Sequence, residues 1–148
     1  MAQGTSETKP SLSLERTLRA APQRVWQAWT QAEAMSQWMA PSDAFKCEVP
    51  EADVRVGGRY RIVMTAPDGE VHDVSGVYRE VVPNERLVFT WAWRSTPERE
   101  SLVTVTLRPA GTGTALTLTH EKFFDETARD NHRGGWTGSL ARLEAVLV

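Results

Sequence analysis

The chain has 148 residues, with 17 Lys and Arg against 19 Asp and Glu, and a formal net charge of −2 at pH 7. A chain of this length accommodates one domain with a sizeable core. The slightly acidic balance disfavours a nucleic-acid binder that neutralises phosphates, and the single cysteine excludes an internal disulfide and any multi-cysteine metal site.

Residues 1–11 are polar and carry no apolar periodicity. We therefore expect a disordered tail over residues 1–11 and a single domain over residues 12–148. The N-terminal sequence has no charged segment followed by an apolar one, and no apolar run approaches the ~18 residues of a membrane span. These features favour a cytoplasmic protein that has neither a membrane nor a nucleic acid as its partner.

Alternating leucines predict a first strand over residues 12–18, which stops before Pro22. Pro22 suits the first position of a helix, because its missing N–H would have no partner there. Thr30 and Glu33 have the spacing of a capping box, which predicts a second short helix with Thr30 as its cap. Pro41 ends this helix, so two short helices are expected between the first and second strands.

From about residue 45 to residue 121 the pattern predicts strands joined by turns. Turn signals lie at residues 67–69, 83–85 and 109–113. Gly76 interrupts the strand over residues 72–82, so we expect a β-bulge at this glycine. Six consecutive strands joined by short turns imply an antiparallel meander.

The last segment predicts a long amphipathic helix. Asp125 suits its N-cap, and apolar residues follow at spacings of four, three and four at Trp136, Leu140, Leu143 and Leu147. Gly134 and Gly135 each cost about 1 kcal/mol relative to Ala inside a helix, so we expect a kink or a close backbone approach there. This helix is the natural cover for the buried face of the sheet, and a cavity results where a curved sheet leaves a gap beneath it.

Six segments of the chain carry a family resemblance. They are APQRVWQAWTQAEAMSQW, DVRVGGRY, GVYREVVPNERLVFTW, VTVTL, GTALTLTHEKF and GGWTGSLARLE. In this order they resemble the signature segments of the activator of Hsp-90 ATPase homologue-like family, which belongs to the START-like, or SRPBCC, superfamily. The resemblance covers about residues 12–147. It implies an α+β helix-grip fold, in which a curved seven-stranded antiparallel sheet is wrapped around a long C-terminal helix with a hydrophobic cavity between them.

The candidate site residues are mainly aromatic, since the chain has six tryptophans. Large aromatics usually pack in cores, but some of them also line pockets for apolar ligands. His120 shares its parity with Leu116 and Leu118 and should point inward, either as a core histidine or as a ligand contact or proton donor. The residues that we expect to line a ligand site are Trp38, Tyr60, Met64, Tyr78, Phe89, Trp91, Trp93, His120 and Trp136.

Other chemistries have little support in the sequence. The three histidines have no metal-ligand spacing, and His132 is expected on the solvated side of the last helix. Cys47 is expected to be inert packing, and no Gly-x-Ser-x-Gly nucleophile elbow occurs. We therefore expect no metal, no cofactor and no catalytic residue.

The family resemblance leaves three functions open. The expected one is binding of a small hydrophobic or aromatic molecule by a monomer or homodimer, without catalysis. The second is a protein-interaction module that stimulates a chaperone ATPase in the stress response; the family's chaperone activators carry a separate N-terminal domain, which this sequence does not display. The third is a polyketide cyclase- or dehydratase-like enzyme that acts through His120, Tyr60 or Tyr78.

Overall fold

A computed structural model describes residues 9–147, and within that range seven strands and three helices follow the predicted order. The strands are β1 (Leu12–Leu18), β2 (Lys46–Ala52), β3 (Arg59–Thr65), β4 (Val71–Val82), β5 (Arg86–Trp93), β6 (Ser101–Ala110) and β7 (Gly113–Glu121). The helices are α1 (Pro22–Thr30), α2 (Ala32–Met35) and α3 (Glu126–Val146). Residues 1–8 of the expected tail lie outside the described residues. The carbonyl of Pro10 accepts a hydrogen bond from the Phe123 amide at 3.2 Å.

The strands form one sheet in the order β1-β7-β6-β5-β4-β3-β2, and every neighbouring pair is antiparallel. Strands β2 to β7 form the predicted meander. The first strand β1 pairs with β7, with Leu12 opposite His120 and Leu18 opposite Thr114. The predicted seven-stranded antiparallel sheet is confirmed, and β1 and β2 are its two edges.

Helix α3 packs its apolar stripe against the core. This stripe consists of Trp136, Leu140 and Leu143, continued by Leu147 at the C-cap, and all four residues are buried. The predicted N-cap is confirmed, because the Asp125 carboxylate accepts a hydrogen bond from the Ala128 amide at 2.8 Å. With α1 and α2 between β1 and β2, the arrangement is the expected α+β helix-grip fold.

The predicted capping box at Thr30 is wrong. Thr30 is the last residue of α1, and its hydroxyl donates to the Trp26 carbonyl at 2.7 Å. A threonine hydroxyl often bonds to the carbonyl four residues earlier in a helix, and here that bond replaces the expected cap. Gln31 occupies the N-cap position of α2 without a side-chain hydrogen bond.

The predicted β-bulge at Gly76 is also misplaced. The register of β4 against β5 shifts between Tyr78 and Glu80 instead. Gly76 serves a close approach of the backbone, because a Cβ atom there would lie 2.0 Å from the Thr90 carbonyl oxygen. The Tyr60 hydroxyl donates to the same carbonyl.

Helix α3 continues through Gly134 and Gly135, where an added Cβ would have no atom within 4 Å. The prediction of a close backbone approach at these two glycines is therefore wrong. Such an approach occurs one turn later, where a Cβ on Gly138 would lie 2.0 Å from the Pro41 carbonyl oxygen. The tertiary neighbour, and not the helix itself, decides which glycine is required.

Candidate functional site

A cleft of about 870 Å³ lies between the sheet and α3. This volume falls within the range of about 300–1,000 Å³ that is typical of small-molecule sites. Strands β3 to β6, the first half of α3, the β5–β6 and β7–α3 connections and the segment between α2 and β2 supply its walls. The aromatic side chains that line it are Phe45, Trp91, Trp93, Phe123, Phe124 and Trp136.

Four of the nine residues predicted to line a ligand site do line this cleft. Trp91 and Trp93 lie two positions apart on β5, so their side chains project from the same face of the sheet. Met64 joins them from β3, and Trp136 faces them from α3. Trp91 and Trp136 are in contact, with ring centroids 5.1 Å apart.

The other five predicted residues are buried away from the cleft. Three of them, Tyr60, Tyr78 and Phe89, surround a void of only about 10 Å³. Trp38 packs edge-on against Trp29, with ring centroids 4.6 Å apart, and donates its indole N–H to the Ala28 carbonyl at 2.9 Å. These aromatic residues fill the closed part of the core. The fifth residue, His120, lies behind the wall of the cleft.

The His120 ring is fully buried and both of its nitrogens are hydrogen-bonded. Nδ1 accepts the Trp136 indole N–H at 2.9 Å, so Nδ1 carries no proton. The proton is therefore on Nε2, which lies 2.7 Å from the Ser101 hydroxyl oxygen and donates to it. The Ser101 hydroxyl in turn donates to the Trp91 carbonyl at 3.2 Å. Burial lowers the pKa of His120 well below its ordinary value, with the nearby His132 adding to the effect, so the ring is neutral at pH 7.

His132 lines the cleft, and its expected position on the solvated side of α3 is wrong. Its Nδ1 lies 2.7 Å from the Ala128 carbonyl and donates to it, which leaves Nε2 as an acceptor. Nε2 accepts the indole N–H of Trp93 at 2.9 Å and that of Trp91 at 3.3 Å. Burial lowers the pKa of His132, and the bond to Ala128 opposes this in part. The spacing of four residues to Trp136 was the available signal, because it places both rings on one face of α3.

We call Trp91, Trp93, Trp136, His120 and His132 the Trp–His cluster. Two neutral histidines take up the N–H groups of all three indoles. Buried indole N–H groups require such partners, and here they find them inside the protein. The inner end of the cleft consequently offers aromatic surface to a ligand, with neither a net charge nor a free indole donor.

The mouth of the cleft is polar. Asp73 accepts two hydrogen bonds from the Arg61 guanidinium, at 3.1 and 2.7 Å, and this pairing lowers the pKa of the carboxyl. A second guanidinium, on Arg94, lies 3.7 Å from the same carboxylate. The Arg99 guanidinium lies over the Phe124 ring, 3.9 Å from its centroid. Positive groups and aromatic surface therefore meet at the opening.

The segment between α2 and β2 forms one wall of the cleft and is fastened to α3. It contributes Met39 and Phe45 to the lining. Ser139 on α3 donates to the Ala40 carbonyl at 3.0 Å. Arg142, one turn further along α3, makes hydrogen bonds of 3.0 Å to the Asp43 carboxylate and the Gln37 carbonyl. These bonds hold the wall in place against the helix.

The described residues contain no group that suits metal or thiol chemistry. Over residues 9–147, no three or more His, Cys, Asp or Glu side chains are placed to hold a metal ion. Cys47 donates its S–H to the Met39 carbonyl at 3.3 Å, and burial raises its pKa to about 11. The thiol therefore stays protonated near pH 7. No helix within this range is long and apolar enough to cross a membrane.

Comparison with known proteins gives a family and a set of similar structures. The family model described as "Activator of Hsp90 ATPase homolog 1-like protein" matches residues 19–148. A crystal structure of a protein from Chromobacterium violaceum is similar, with 34% identity, a TM-score of 0.85, and coverage of 93% of this chain and 96% of that one. The AHSA1 protein from Silicibacter pomeroyi shares 28% identity at a TM-score of 0.83, over 93% and 97% of the two chains. No curated protein matches the chain significantly.

Proposed function

Since the chain belongs to the Activator of Hsp90 ATPase homolog 1-like family, whose solved members share its START-like fold, we propose that its cleft binds a small hydrophobic or aromatic molecule. One observation carries this proposal: a cleft of about 870 Å³ is lined by six aromatic side chains. The cleft opens to solvent, so the aromatic side chains around it lack packing contacts on one side, and contiguous apolar surface of this kind marks ligand sites. A ligand of matching shape would supply the missing contacts.

The electrostatic character of the cleft supports an apolar ligand. The Trp–His cluster keeps both histidines neutral and uses up the three indole N–H groups. The inner surface is therefore apolar in effect, although four rings of the cluster that contain nitrogen line it. Ligand pockets are typically of this kind, with a few polar groups at defined positions.

The contacts of the proposed acids favour binding over a cyclase-like reaction. His120 is buried behind the cleft with both ring nitrogens hydrogen-bonded, and the Tyr60 hydroxyl donates to the Thr90 carbonyl. Neither group faces the space that a ligand would occupy. A general acid must reach the atom that it protonates, so the proposal assigns no reaction to these residues.

Two neighbouring glycines of α3 allow a direct test. Gly135 lines the cleft and Gly134 is exposed, and a Cβ at either would meet no atom within 4 Å. A Gly135→Leu variant places its new side chain in the cleft, whereas Gly134→Leu makes the same change of residue on the solvent side. Both substitutions favour the helix, so neither is expected to unfold the protein.

The assay is a thermal-shift screen with lipids, flavonoids and polyketide-like aromatics, followed by calorimetry of the compounds that stabilise the protein. A ligand at about 100 times its Kd stabilises by about 2.7 kcal/mol, which raises the Tm of a chain of this size by about 5–11 °C. We expect Gly135→Leu to weaken binding at least tenfold and Gly134→Leu to leave Kd unchanged. Equal binding by both variants would place the ligand elsewhere, and the absence of any shift with the wild type would contradict the proposal.

A second assay tests the alternative that the chain stimulates a chaperone ATPase. The family description names an activator of an Hsp90 ATPase, so purified chaperone is mixed with the wild-type chain and ATP hydrolysis is measured. We propose a cytoplasmic ligand-binding protein, monomeric or homodimeric, and expect no change in hydrolysis. A saturable rise in hydrolysis that persists in Gly135→Leu would assign the function to a surface outside the cleft.

A further inference from the structure

The part of the cleft around the Trp–His cluster has no side-chain hydrogen-bond donor to spare for a ligand. Its side-chain N–H and O–H groups already donate within the protein. They belong to Trp91, Trp93, Ser101, His132, Trp136 and Ser139. A ligand oxygen placed there would give up its hydration without gaining a donor, which is costly. The buried part of the ligand must therefore be apolar, and any acidic group must stay at the mouth.

At the mouth, the negative charge of the Asp73 carboxylate is already neutralised by the Arg61 guanidinium. Arg61 binds both of its oxygens, so the contact at 3.7 Å to Arg94 is a secondary one. The Arg94 side chain is 80% exposed. Most of its guanidinium is therefore accessible to a ligand that approaches from solvent.

Arg99 is accessible as well, and its side chain is 45% exposed. Its Nε lies 3.8 Å from the Glu98 carboxylate, which is beyond hydrogen-bond distance. The Asp125 carboxylate, which also lines the mouth, accepts the Ala128 amide at the N-terminus of α3 and is offset by the helix dipole there. Glu70 is engaged by His72 at 2.8 Å.

We infer that the ligand of the proposed site is an amphipathic anion, with an aromatic or alkyl body in the Trp-lined cleft and a carboxylate at Arg94 and Arg99. This inference rests on the proposed function and specifies its ligand class. A guanidinium matches a carboxylate through two parallel N–H donors. The two arginines supply that recognition at the one end of the cleft where an anion can keep part of its hydration.

Three probes with one aromatic body test the inference. Calorimetry of the full chain at low ionic strength compares 2-naphthylacetate, neutral 2-naphthylacetamide and the 2-naphthylethylammonium cation. We expect the anion to bind about tenfold more tightly than the amide, from two partly exposed ion pairs, and the cation to bind most weakly. Addition of 0.5 M NaCl should remove most of the difference.

Variants assign the preference to the two arginines. The double variant Arg94→Gln/Arg99→Gln should bind the anion as weakly as the amide, with the Kd of the amide unchanged. Arg108→Gln makes the same type of substitution, with half the change in net charge, at an exposed position of β6 outside the cleft and should retain the tenfold preference.

The outcomes separate the two proposals. If the amide binds the wild type as tightly as the anion does, the charged head group is wrong and the hydrophobic site stands. If the preference survives in the double variant, the anion is recognised elsewhere and the assignment to these arginines is overturned. If none of the three probes binds but other compounds of the thermal-shift panel do, the ligand class is contradicted and the hydrophobic site stands. If no compound of either set binds, both proposals are contradicted.

Discussion

Three glycines in five residues of α3 should respond oppositely to alanine. Helix propensity alone predicts that each change stabilises the protein by about 1 kcal/mol. At Gly134 and Gly135 the new Cβ meets nothing, so the full gain is expected. At Gly138 the Cβ would lie 2.0 Å from the Pro41 carbonyl oxygen and 3.0 Å from its carbonyl carbon. Gly138→Ala should therefore destabilise the protein.

The size of this loss follows from what holds Pro41 in place. The neighbouring Ala40 carbonyl accepts from Ser139, and Asp43 is bound by Arg142, each at 3.0 Å. Moving the chain by the ~1 Å that the Cβ requires strains these bonds, and overpacking of this kind costs about 1–3 kcal/mol. A weakened hydrogen bond costs about 1 kcal/mol more, which offsets the propensity gain. The net loss is about 1–3 kcal/mol.

Urea unfolding at 25 °C and thermal unfolding of the three single variants measure the effect. The expected shifts in Tm are a rise of about 2–4 °C for Gly134→Ala and Gly135→Ala, and a fall of about 2–12 °C for Gly138→Ala. An unchanged m-value would show that the native state is still compact. A rise in Tm for Gly138→Ala similar to that of the other two would refute the close approach between α3 and the segment before β2.

Two further predictions concern pH and the helix cap. Burial lowers the pKa of His120 and His132, so the unfolded chain binds more protons than the native one below about pH 6.5. The free energy of unfolding should therefore fall as the pH is lowered from 7.5 to 5.5. For each histidine the fall reaches up to ~1.4 kcal/mol per pH unit once both unfolded rings are protonated. Urea titrations measure it, and a His132→Gln variant whose free energy of unfolding falls as steeply with pH as that of the wild type would contradict this. Asp125→Ala should lower the free energy of unfolding by about 1 kcal/mol and the Tm by about 2–4 °C, because the Ala128 amide loses its cap. Asp125→Asn retains an acceptor and should keep most of the stability in the same thermal scans.

The fold was largely predictable because its signals are local. Alternation and turn residues mark the strands, and the 3.6-residue period marks α3. Short connections leave the meander as the simplest topology, and the helix stripe at Trp136, Leu140, Leu143 and Leu147 needs an apolar face to pack against, which the sheet offers. The order of elements and most of their bounds agree with the structure for this reason.

The errors all involve residues whose role depends on a neighbour distant in sequence or on a competing bond. Thr30 has the spacing of a cap, but the same hydroxyl also reaches the carbonyl four residues back. Gly76 and Gly138 are both required by carbonyls of other segments, at Thr90 and Pro41. Nothing in the local sequence distinguishes them from glycines that have free space around them.

The candidate site was predictable only in part. Parity along β5 places Phe89, Trp91 and Trp93 on the same face, but only the last two line the cleft. Which of these β5 residues line the cleft depends on where α3 and the segments beside it leave the sheet uncovered. The alternation of residues along a strand carries no information about this. His132 was recognisable from its helical spacing to Trp136, whereas Phe45 in a connecting segment has no periodic signal.

The pairing of β1 with β7 has a consequence for how the molecule is made. Ser13 and Thr119 face each other across this pair although they are 106 residues apart in the chain. During synthesis, β1 has no strand partner until β7 emerges, and α3 follows β7. Contacts of such long sequence separation form slowly, and the exposed sheet is prone to aggregate meanwhile. Until β7 has been synthesised, we therefore expect the nascent chain to need molecular chaperones that prevent aggregation. Truncation before β7 should yield an insoluble product.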